Sequence, residues 1–351
     1  MPNIATVCSS HGLGHLTRQI ALGEELDRAG SAPTFFTSGP ADLVTQSIPS
    51  ATVVSTEVDV GIAQFDSITE DIPRTIQLLE ERCSQHRIET LASQLSTFDL
   101  VIVDCAPPAL KACQIAGVPA VAMGNFDWSW IYRHYAALQE WSERFAEWQR
   151  PHPAIFLSPG PGMHGFRQVE NGGLLGRMAP AINKSTISRS RSDQPTADPC
   201  HVLVSFGGFG LADVDTLLPA VDGVTWVFSP PMDCPNRTDC VLAPDVPYPS
   251  LVAACDLVLT KPGYSIFAEA ALAGTRLLWI PRGDFPEARW LETAMKTRGD
   301  IALATSPKEP KNFQIELEQR IRQTRGQTGP LPVTSTAAHQ LAVRLLRWTE
   351  V

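Results

Sequence analysis

The chain lacks several features that would assign it to a specialised class of protein. Its eight cysteines include no CxxC pair, and several lie inside apolar runs, which favours free thiols in a reducing compartment. No run approaches the roughly 18 apolar residues of a membrane span. The start MPNIATVCSS has no charged region followed by a long apolar one, so no secretion signal is predicted. We therefore expect a cytoplasmic protein without a transmembrane segment.

The chain also has fewer basic than acidic residues. Lys and Arg total 28 against 37 Asp and Glu, which gives a formal net charge of −9. This balance argues against a general nucleic-acid-binding protein. An acidic chain can nevertheless bind an anionic ligand where backbone amides hold the phosphate.

What the chain does have is length and an alternating pattern. Its 351 residues, 44% hydrophobic and 19% charged, are enough for two domain cores. Strand-like apolar runs alternate with helix-period segments, which predicts an α/β protein built from βα units around parallel sheets. The predicted strands are NIATVC, PTFFTS, ATVVS, LVIVDC and PAVAMG in the first half, and HVLVSF, TWVFSP, LVLTKP, RLLWIP and IALAT in the second.

A polar, serine-rich segment near the middle, INKSTISRSRSDQPTADPC, has the composition of an interdomain linker. After it the strand, glycine loop and helix pattern starts again, so a cleft between two domains is predicted. The predicted limits are 1–182 for an N-terminal domain, 183–199 for the linker, 200–330 for a C-terminal domain and 331–351 for a helix packing back on the first domain.

A glycine-rich turn follows the first predicted strand. The segment HGLGHLTR begins at His11 and enters an amphipathic helix, with His15 where the helix starts. In open α/β sheets ligands bind beyond the carboxyl ends of the strands. Asp104 ends the strand LVIVD and would reach the same edge, where it could orient an imidazole and stabilise its protonated form. The simpler alternatives are a glycine turn with a capping histidine and an aspartate that anchors a loop.

The second half carries phosphate-type features at the ends of its strands. The loop SFGGFG is neither a P-loop nor a GxGxxG fingerprint, yet its amides could cradle a diphosphate. Beyond LVLT a helix N-terminus can receive phosphate, and Glu269, one turn after Ser265, could accept hydrogen bonds from a ribose diol. The alternative is a solvated glutamate beside a charged loop. The candidates on this side are Gly207, Gly208, Gly210, Lys261, Gly263, Tyr264, Ser265, Glu269, Arg282, Asp284, Phe285 and Glu287.

These motifs resemble a known family. GHLTR, the glycine loop, KPGYSIFAEAALAG and PRGDFPE look like parts of a GT-B glycosyltransferase, of the branch that holds the peptidoglycan N-acetylglucosaminyltransferase and the galactolipid synthases. The glycosyltransferase-like N-terminal region of plant L-arabinokinases is more similar still, with an Asn-Phe-aromatic segment like GNFDWSWIYRHY. The resemblance implies two Rossmann-like domains facing a cleft. It also implies inverting transfer of a hexosyl or N-acetylhexosaminyl group from a nucleotide diphosphate sugar, expected to be a UDP-sugar, to a hydroxyl of a small-molecule acceptor.

The resemblance implies roles for individual residues. His15 matches the base, Asp104 matches the acid that supports it, and Glu269 matches the ribose-binding glutamate. The other implied positions are Gly207, Gly208, Gly263 and Ser265 at the diphosphate, Asp284 and Glu287 at the donor sugar, Val246 and Tyr248 at the base of the nucleotide, and Asn125, Phe126, Trp128 and Trp130 at the acceptor. No metal and no cofactor are expected, because a helix dipole and loop amides would hold the diphosphate of the co-substrate.

The sequence departs from the family in three places. His11 could compete with His15 for the role of base, Ser265 stands where closer relatives often have glycine, and the donor-sugar loop lacks an Asp-Gln pair. Two other functions stay open: a nucleotide-sugar epimerase of the same architecture, and a non-catalytic nucleotide-sugar-binding protein. The presence of both His15 and Asp104 argues against the second, because binding alone requires neither.

A tryptophan-rich segment follows the Asn-Phe motif, with apolar side chains at helical spacing. It could be a helix packed on its own domain, an apolar wall for the acceptor, or a face that lies on a membrane. Its acidic residues oppose an anionic membrane surface, so a soluble acceptor is favoured over peripheral membrane contact. The spaced positions are Ile131, Leu138, Trp141, Phe145 and Trp148, and the acidic ones are Glu140, Glu143 and Glu147.

Overall fold

A computed structural model describes residues 1–9, 11–65, 70–188, 199–206, 214–230, 232–281 and 283–349. Within these residues the strands form two sheets, and every strand pairing in them is parallel. The predicted α/β class is confirmed. Ten residues of the predicted linker, 189–198, lie outside the described residues.

The first compact unit comprises Met1–Arg177 and Thr336–Val351. Its described strands are β1 (Ile4–Cys8), β2 (Thr34–Thr37), β3 (Thr52–Ser55), β4 (Leu100–Asp104), β5 (Ala120–Gly124), β6 (Pro153–Leu157) and β7 (Gln168–Gly173). Its described helices begin with α1 (Leu13–Arg28), α2 (Ala41–Ser47), α3 (Ile72–Arg82), α4 (Gln85–Leu95), α5 (Pro107–Ala116), α6 (Trp128–Tyr132) and α7 (Gln139–Gln149).

The strand order of this first sheet is β3-β2-β1-β4-β5-β6-β7. The chain leaves β1 towards β2 on one side and returns at β4 on the other, which makes the gap between β1 and β4 the switch point where ligands bind in such folds. Strands β1 and β4 are buried along their whole length because helices cover both faces of a parallel sheet. The register pairs Cys8 with Asp104, so the two strands end side by side.

The second compact unit comprises Met178–Ser335. Its described strands are β8 (Cys200–Ser205), β9 (Val224–Phe228), β10 (Cys240–Leu242), β11 (Leu257–Thr260), β12 (Arg276–Trp279) and β13 (Ile301–Ala302), in the order β10-β9-β8-β11-β12-β13. Its described helices are α8 (Lys184–Ser188), α9 (Val214–Leu217), α10 (Tyr248–Ala254), α11 (Tyr264–Ala273), α12 (Ala288–Arg298) and α13 (Pro310–Thr324). The switch point of this sheet lies between β8 and β11.

The last helix of the chain, α14 (Ala338–Trp348), belongs to the first unit and packs against α1. Its polar face is joined to that unit by Arg344, which pairs with Glu170 of β7 at 2.9 Å. The two units divide after Arg177 and after Ser335, a few residues from the predicted limits at 182 and 331.

The tryptophan-rich segment forms two helices, α6 and α7, joined by a turn of 3₁₀ helix. Four of its five spaced apolar side chains are buried in the first unit, and Tyr132 stacks on Phe145 with ring centroids 5.4 Å apart. The helical spacing therefore reflects packing of the segment on its own unit. None of the described helices combines the length and the apolar composition that crossing a bilayer requires.

Candidate functional site

The switch point of the first sheet brings together the two residues that the sequence singled out. His15 lies in the first turn of α1 and Asp104 ends β4, and His15 Nδ1 is 2.8 Å from Asp104 Oδ1. Both side chains are buried, with 7% and 0% of their surface exposed. Within the described residues the other ring nitrogen, Nε2, makes no hydrogen bond. The pair has the geometry of a histidine base oriented by a carboxylate.

Two residues that sequence reasoning missed complete this cluster. Arg18 donates from Nε to Asp104 Oδ2 at 2.7 Å and from Nη2 to Asp104 Oδ1 at 2.5 Å, a two-point pairing. Gln19 Nε2 donates to Asp104 Oδ2 at 2.7 Å. Helical spacing could have identified both residues, because side chains three and four positions after His15 lie on the same face of α1 as His15.

The charges around Asp104 fix its ionisation. Burial by itself would raise the pKa of Asp104, but the Arg18 guanidinium and then the His15 ring outweigh burial and hold that pKa well below its ordinary value. The carboxyl group is therefore ionised at neutral pH. An ionised, fully buried carboxylate is stable only with several donors around it, and here the side chains of α1 supply them.

The chain that follows β4 and β5 is tightly packed behind the cluster. Cys105 has a φ of 50°, a left-handed conformation that is uncommon for residues other than glycine and that turns the chain directly after Asp104. Its Sγ lies 3.4 Å from the carbonyl oxygen of Phe126. A Cβ on Gly124 would lie 2.8 Å from both Cys105 Sγ and that oxygen, so a larger residue would force one of them to move. Asn125, next in the chain, accepts from Arg18 Nη1 at 2.7 Å and holds the guanidinium from its far side.

Three possible metal ligands meet in the same place. His15, Asp104 and Cys105 are the group of three that the described residues offer with ligand atoms within 4.8 Å of one another. Arg18 Nη2 lies 2.9 Å from His15 Nδ1, 2.5 Å from Asp104 Oδ1 and 3.5 Å from Cys105 Sγ. A guanidinium therefore stands among the three ligand atoms, where a metal cation would have to bind.

The structure gives His11 a different environment from His15. His11 precedes α1, and its ring meets Trp128 edge-on with centroids 5.4 Å apart. A Cβ on Gly61, which has a φ of 64°, would lie 2.5 Å from the His11 ring, and Tyr132 Oη donates to the Gly61 carbonyl at 2.5 Å. His11 thus packs between the loop at Gly61 and the ring of Trp128.

Asn125 and Phe126, two of the four residues predicted at the acceptor, lie beside the cluster around Asp104, and the four residues are not equally accessible. Asn125, Phe126 and Trp128 are buried, whereas Trp130 is partly exposed and lies between two histidine rings. The Phe126 ring is 6.0 Å from the His15 ring and 5.1 Å from that of Trp128. An aromatic wall therefore borders the predicted base, and a role for these residues in acceptor binding stays a prediction.

In the second unit the predicted residues gather at the carboxyl ends of the strands. Thr260 of β11 is in register with Ser205 of β8, so both strands end at the switch point of this sheet. The Ser205 and Tyr248 hydroxyl groups lie 2.5 Å apart. Val246, partly exposed, precedes α10, which begins at Tyr248.

The segment after β11 forms the predicted glycine turn and helix. Gly263 is the N-cap of α11 and brings no side chain to cap the first backbone amides of the helix. Lys261 and Ser265 are partly exposed, while Tyr264 and Glu269 are buried within the unit. This arrangement suits an anion that approaches the helix start through main-chain donors.

The loop after β12 carries the remaining candidates. Asp284 is exposed, and Phe285 and Glu287 are buried. Their contact with a donor sugar stays a prediction, as do the roles of the other donor-side residues. Four of the predicted positions lie outside the described residues: Gly207, Gly208, Gly210 and Arg282.

The chain was compared with protein families, curated proteins and solved structures. No family model matches the chain. It is 28% identical over 309 residues to L-arabinokinase from Arabidopsis thaliana, covering 82% of this chain but only 29% of that protein. Among solved structures, the glycosyltransferase SnogD from Streptomyces nogalater is 15% identical, with 99% and 100% of the two chains covered and a TM-score of 0.58.

A second solved structure is similar over the whole length of both chains. Phytolacca americana UGT2, solved with UDP-2-fluoro-glucose and pterostilbene, is 13% identical with both chains fully covered and a TM-score of 0.65. The resemblance to L-arabinokinase and to glycosyltransferases expected from the motifs is confirmed. With two parallel sheets in two units and these structural neighbours, the chain has the GT-B glycosyltransferase fold.

Proposed function

We propose that this protein is a glycosyltransferase that moves a sugar from a nucleotide diphosphate sugar to a hydroxyl group of a small-molecule acceptor. The observation that carries the proposal is the His15–Asp104 pair at the switch point of the first sheet, with His15 Nε2 left without a hydrogen bond among the described residues. The structural neighbours named as glycosyltransferases support the same class of reaction. UGT2 was solved with a UDP-sugar analogue, and we extend that donor class to this chain as part of the proposal.

In the proposed reaction His15 acts as general base. Its Nε2 removes the proton of the acceptor hydroxyl as the oxygen forms a bond to the anomeric carbon from the face opposite the diphosphate. The bond between the anomeric carbon and the diphosphate oxygen breaks with its electron pair, so the sugar is transferred with inversion. General-base assistance of this kind is worth on the order of 10²–10⁴-fold in rate.

The second unit would bind the donor through its main chain. The start of α11 after Gly263 offers backbone donors and the positive end of a helix dipole to the departing diphosphate. Glu269 and the other candidates after β11 and β12 would contact the nucleotide and the sugar. We propose that no divalent cation is required, since the start of α11 would stabilise the charge of the diphosphate.

The experiment is a transfer assay on the whole chain with a panel of nucleotide sugars and hydroxyl acceptors, run with and without chelator. His15→Ala should lower turnover by about 10²–10⁴-fold while leaving the binding of the nucleotide diphosphate unchanged. The matched control is His86→Ala, an exposed histidine of α4, which should keep full activity.

The same assay distinguishes the alternatives. Full activity in His15→Ala would remove the proposed base, and activity that chelator abolishes and magnesium restores would contradict the metal-independent scheme. A sugar that changes its configuration on the nucleotide with no acceptor present would identify an epimerase. Nucleotide-sugar binding without turnover of any donor would identify a binding protein.

A further inference from the structure

We propose that Arg18 is a positioning residue of the base: it holds Asp104 ionised and in place, and so keeps the single proton of the His15 ring on Nδ1, with Nε2 free to accept. Arg18 follows His15 by three residues on α1, and only 2% of its surface is exposed. Only the effect of Arg18 on sugar transfer rests on the proposed function. Its first test needs no substrate.

The hydrogen bonds of Asp104 indicate which ring nitrogen carries the proton. An ionised carboxylate offers about four acceptor positions, two on each oxygen. Oδ2 receives Arg18 Nε and Gln19 Nε2, and Oδ1 receives Arg18 Nη2, which fills three of them. The fourth faces His15 Nδ1 at 2.8 Å and is filled only if that nitrogen bears the proton.

A second contact of Arg18 would favour the other tautomer of the ring. Arg18 Nη2 lies 2.9 Å from the same His15 Nδ1, and it could donate to that nitrogen if the ring proton were on Nε2. That tautomer would leave a lone pair of Nδ1 facing Asp104 Oδ1 and would turn Nε2 into a donor. Cys105 Sγ, 3.5 Å from Nη2, is an alternative acceptor for the spare Nη2 hydrogen. The tautomer with Nδ1–H therefore satisfies more of the buried groups.

The charge of Arg18 has an equally direct consequence. Paired with Arg18, Asp104 presents a balanced ion pair to the ring. Without the guanidinium, a buried carboxylate with no cation would favour a second proton on His15, because opposite charges stabilise each other strongly at low dielectric. A doubly protonated ring has no nitrogen left to act as a base.

The other ionisable groups described near Asp104 do not supply a positive charge. Burial raises the pKa of the Cys8 and Cys105 thiols, so both are neutral at physiological pH. Asp59 accepts a hydrogen bond from Ser9 Oγ at 2.6 Å, and Asp127 accepts from the backbone amide of Trp130 at the start of α6. Both of these are acids, so Arg18 is the group that supplies positive charge next to Asp104.

The test is ¹⁵N NMR of the ring nitrogens in histidine-labelled protein at pH 7, with the His15 signals identified by their loss in His15→Asn. In the unsubstituted protein we expect a proton on Nδ1 and none on Nε2. In Arg18→Met we expect protons on both nitrogens. Arg18→Lys, which keeps the cation, should retain one proton. The matched control is Arg28→Met, an exposed arginine at the end of the same helix, which should leave the spectrum unchanged.

Several results would overturn the assignment. A proton on Nε2 in the unsubstituted protein would reverse the tautomer, and a single ring proton in a folded Arg18→Met protein would remove the role of the charge. If Arg18→Met does not fold, the unsubstituted protein and Arg18→Lys decide, because a second ring proton in Arg18→Lys would also contradict the proposal.

The transfer assay separates this inference from the proposed function. In Arg18→Met we expect transfer at pH 7 to fall at least about tenfold and to recover as the pH is raised, because a doubly protonated ring loses its extra proton there. A purely structural defect would not recover with pH. If no variant transfers sugar at any pH, the proposed function fails, while the NMR result still decides the role of Arg18.

Discussion

The two sheets share one strand topology but present different chemistry at their switch points. Between β1 and β4 the described contacts centre on the buried ion pair of Asp104 with Arg18, and His15 and Gln19 also bind this carboxylate. Between β8 and β11 they are a hydroxyl pair, Ser205 with Tyr248, and a helix start with a glycine N-cap. The same connectivity therefore creates the same location in both sheets, and the residues placed there decide its chemistry.

The comparison implies that the first switch point is the more sensitive of the two to single substitutions. Removing one partner of a buried ion pair leaves the other charge without compensation, which is among the largest effects of a point mutation. The described side-chain contact at the second switch point is a hydroxyl pair, and its loss leaves no buried charge without a partner. Three substitutions test this difference, and the expected loss of stability decreases from the first to the last.

The largest effect is expected for Asp104→Asn. It removes the counter-charge of the buried Arg18 and should lower the free energy of unfolding by about 3–5 kcal/mol at pH 7. The folded-state pKa of Asp104 is depressed, so its contribution is complete above the ordinary carboxyl pKa of about 3.9 and is lost as the pH falls below it. Denaturant unfolding should therefore show the difference between the two proteins shrinking below about pH 4. A difference that grows on acidification would contradict this account.

An intermediate effect is expected for Gly124→Ala, which tests the packing behind the cluster. The new methyl group would lie 2.8 Å from Cys105 Sγ and from the Phe126 carbonyl oxygen, so one of them has to move. Overpacking of this kind costs about 1–3 kcal/mol. Thermal unfolding measures the loss, and the control is Gly263→Ala in the second unit, where the nearest atom to the new methyl would be 3.7 Å away. An equal loss in both variants would remove the contrast between the two switch points.

The smallest effect is expected for Tyr248→Phe in the second unit. It removes the 2.5 Å hydroxyl contact with Ser205 and should lower the free energy of unfolding by about 0.5–1.5 kcal/mol, the net value of an ordinary hydrogen bond. Denaturant unfolding provides the measurement. A loss as large as that of Asp104→Asn would show that the second switch point is equally dependent on side chains.

Local patterns in the sequence were sufficient for much of the fold. The runs NIATVC and LVIVDC predicted β1 and β4, because continuous apolar runs bounded by turn residues indicate buried parallel strands. Strands β6 and β7 are not among the predicted strands. QVENGG, the sequence of β7, has neither an apolar run nor β-branched residues in alternation and is exposed along most of its length. Strand β10 is only three residues long, too short to carry a periodic signal.

The sequence by itself determined the class of fold, the switch-point turn with His15, and Asp104 as its expected partner. Only the tertiary structure decided that Arg18 and Gln19 share the same carboxylate, and that His11 packs against Trp128 instead. The physical reason is separation along the chain. Apolar periodicity reports on neighbouring residues, whereas the partners of Asp104 are more than 80 positions away in the sequence. Which donor reaches which oxygen depends on the register of β1 with β4 and on the rotation of α1, and neither is encoded in a local pattern.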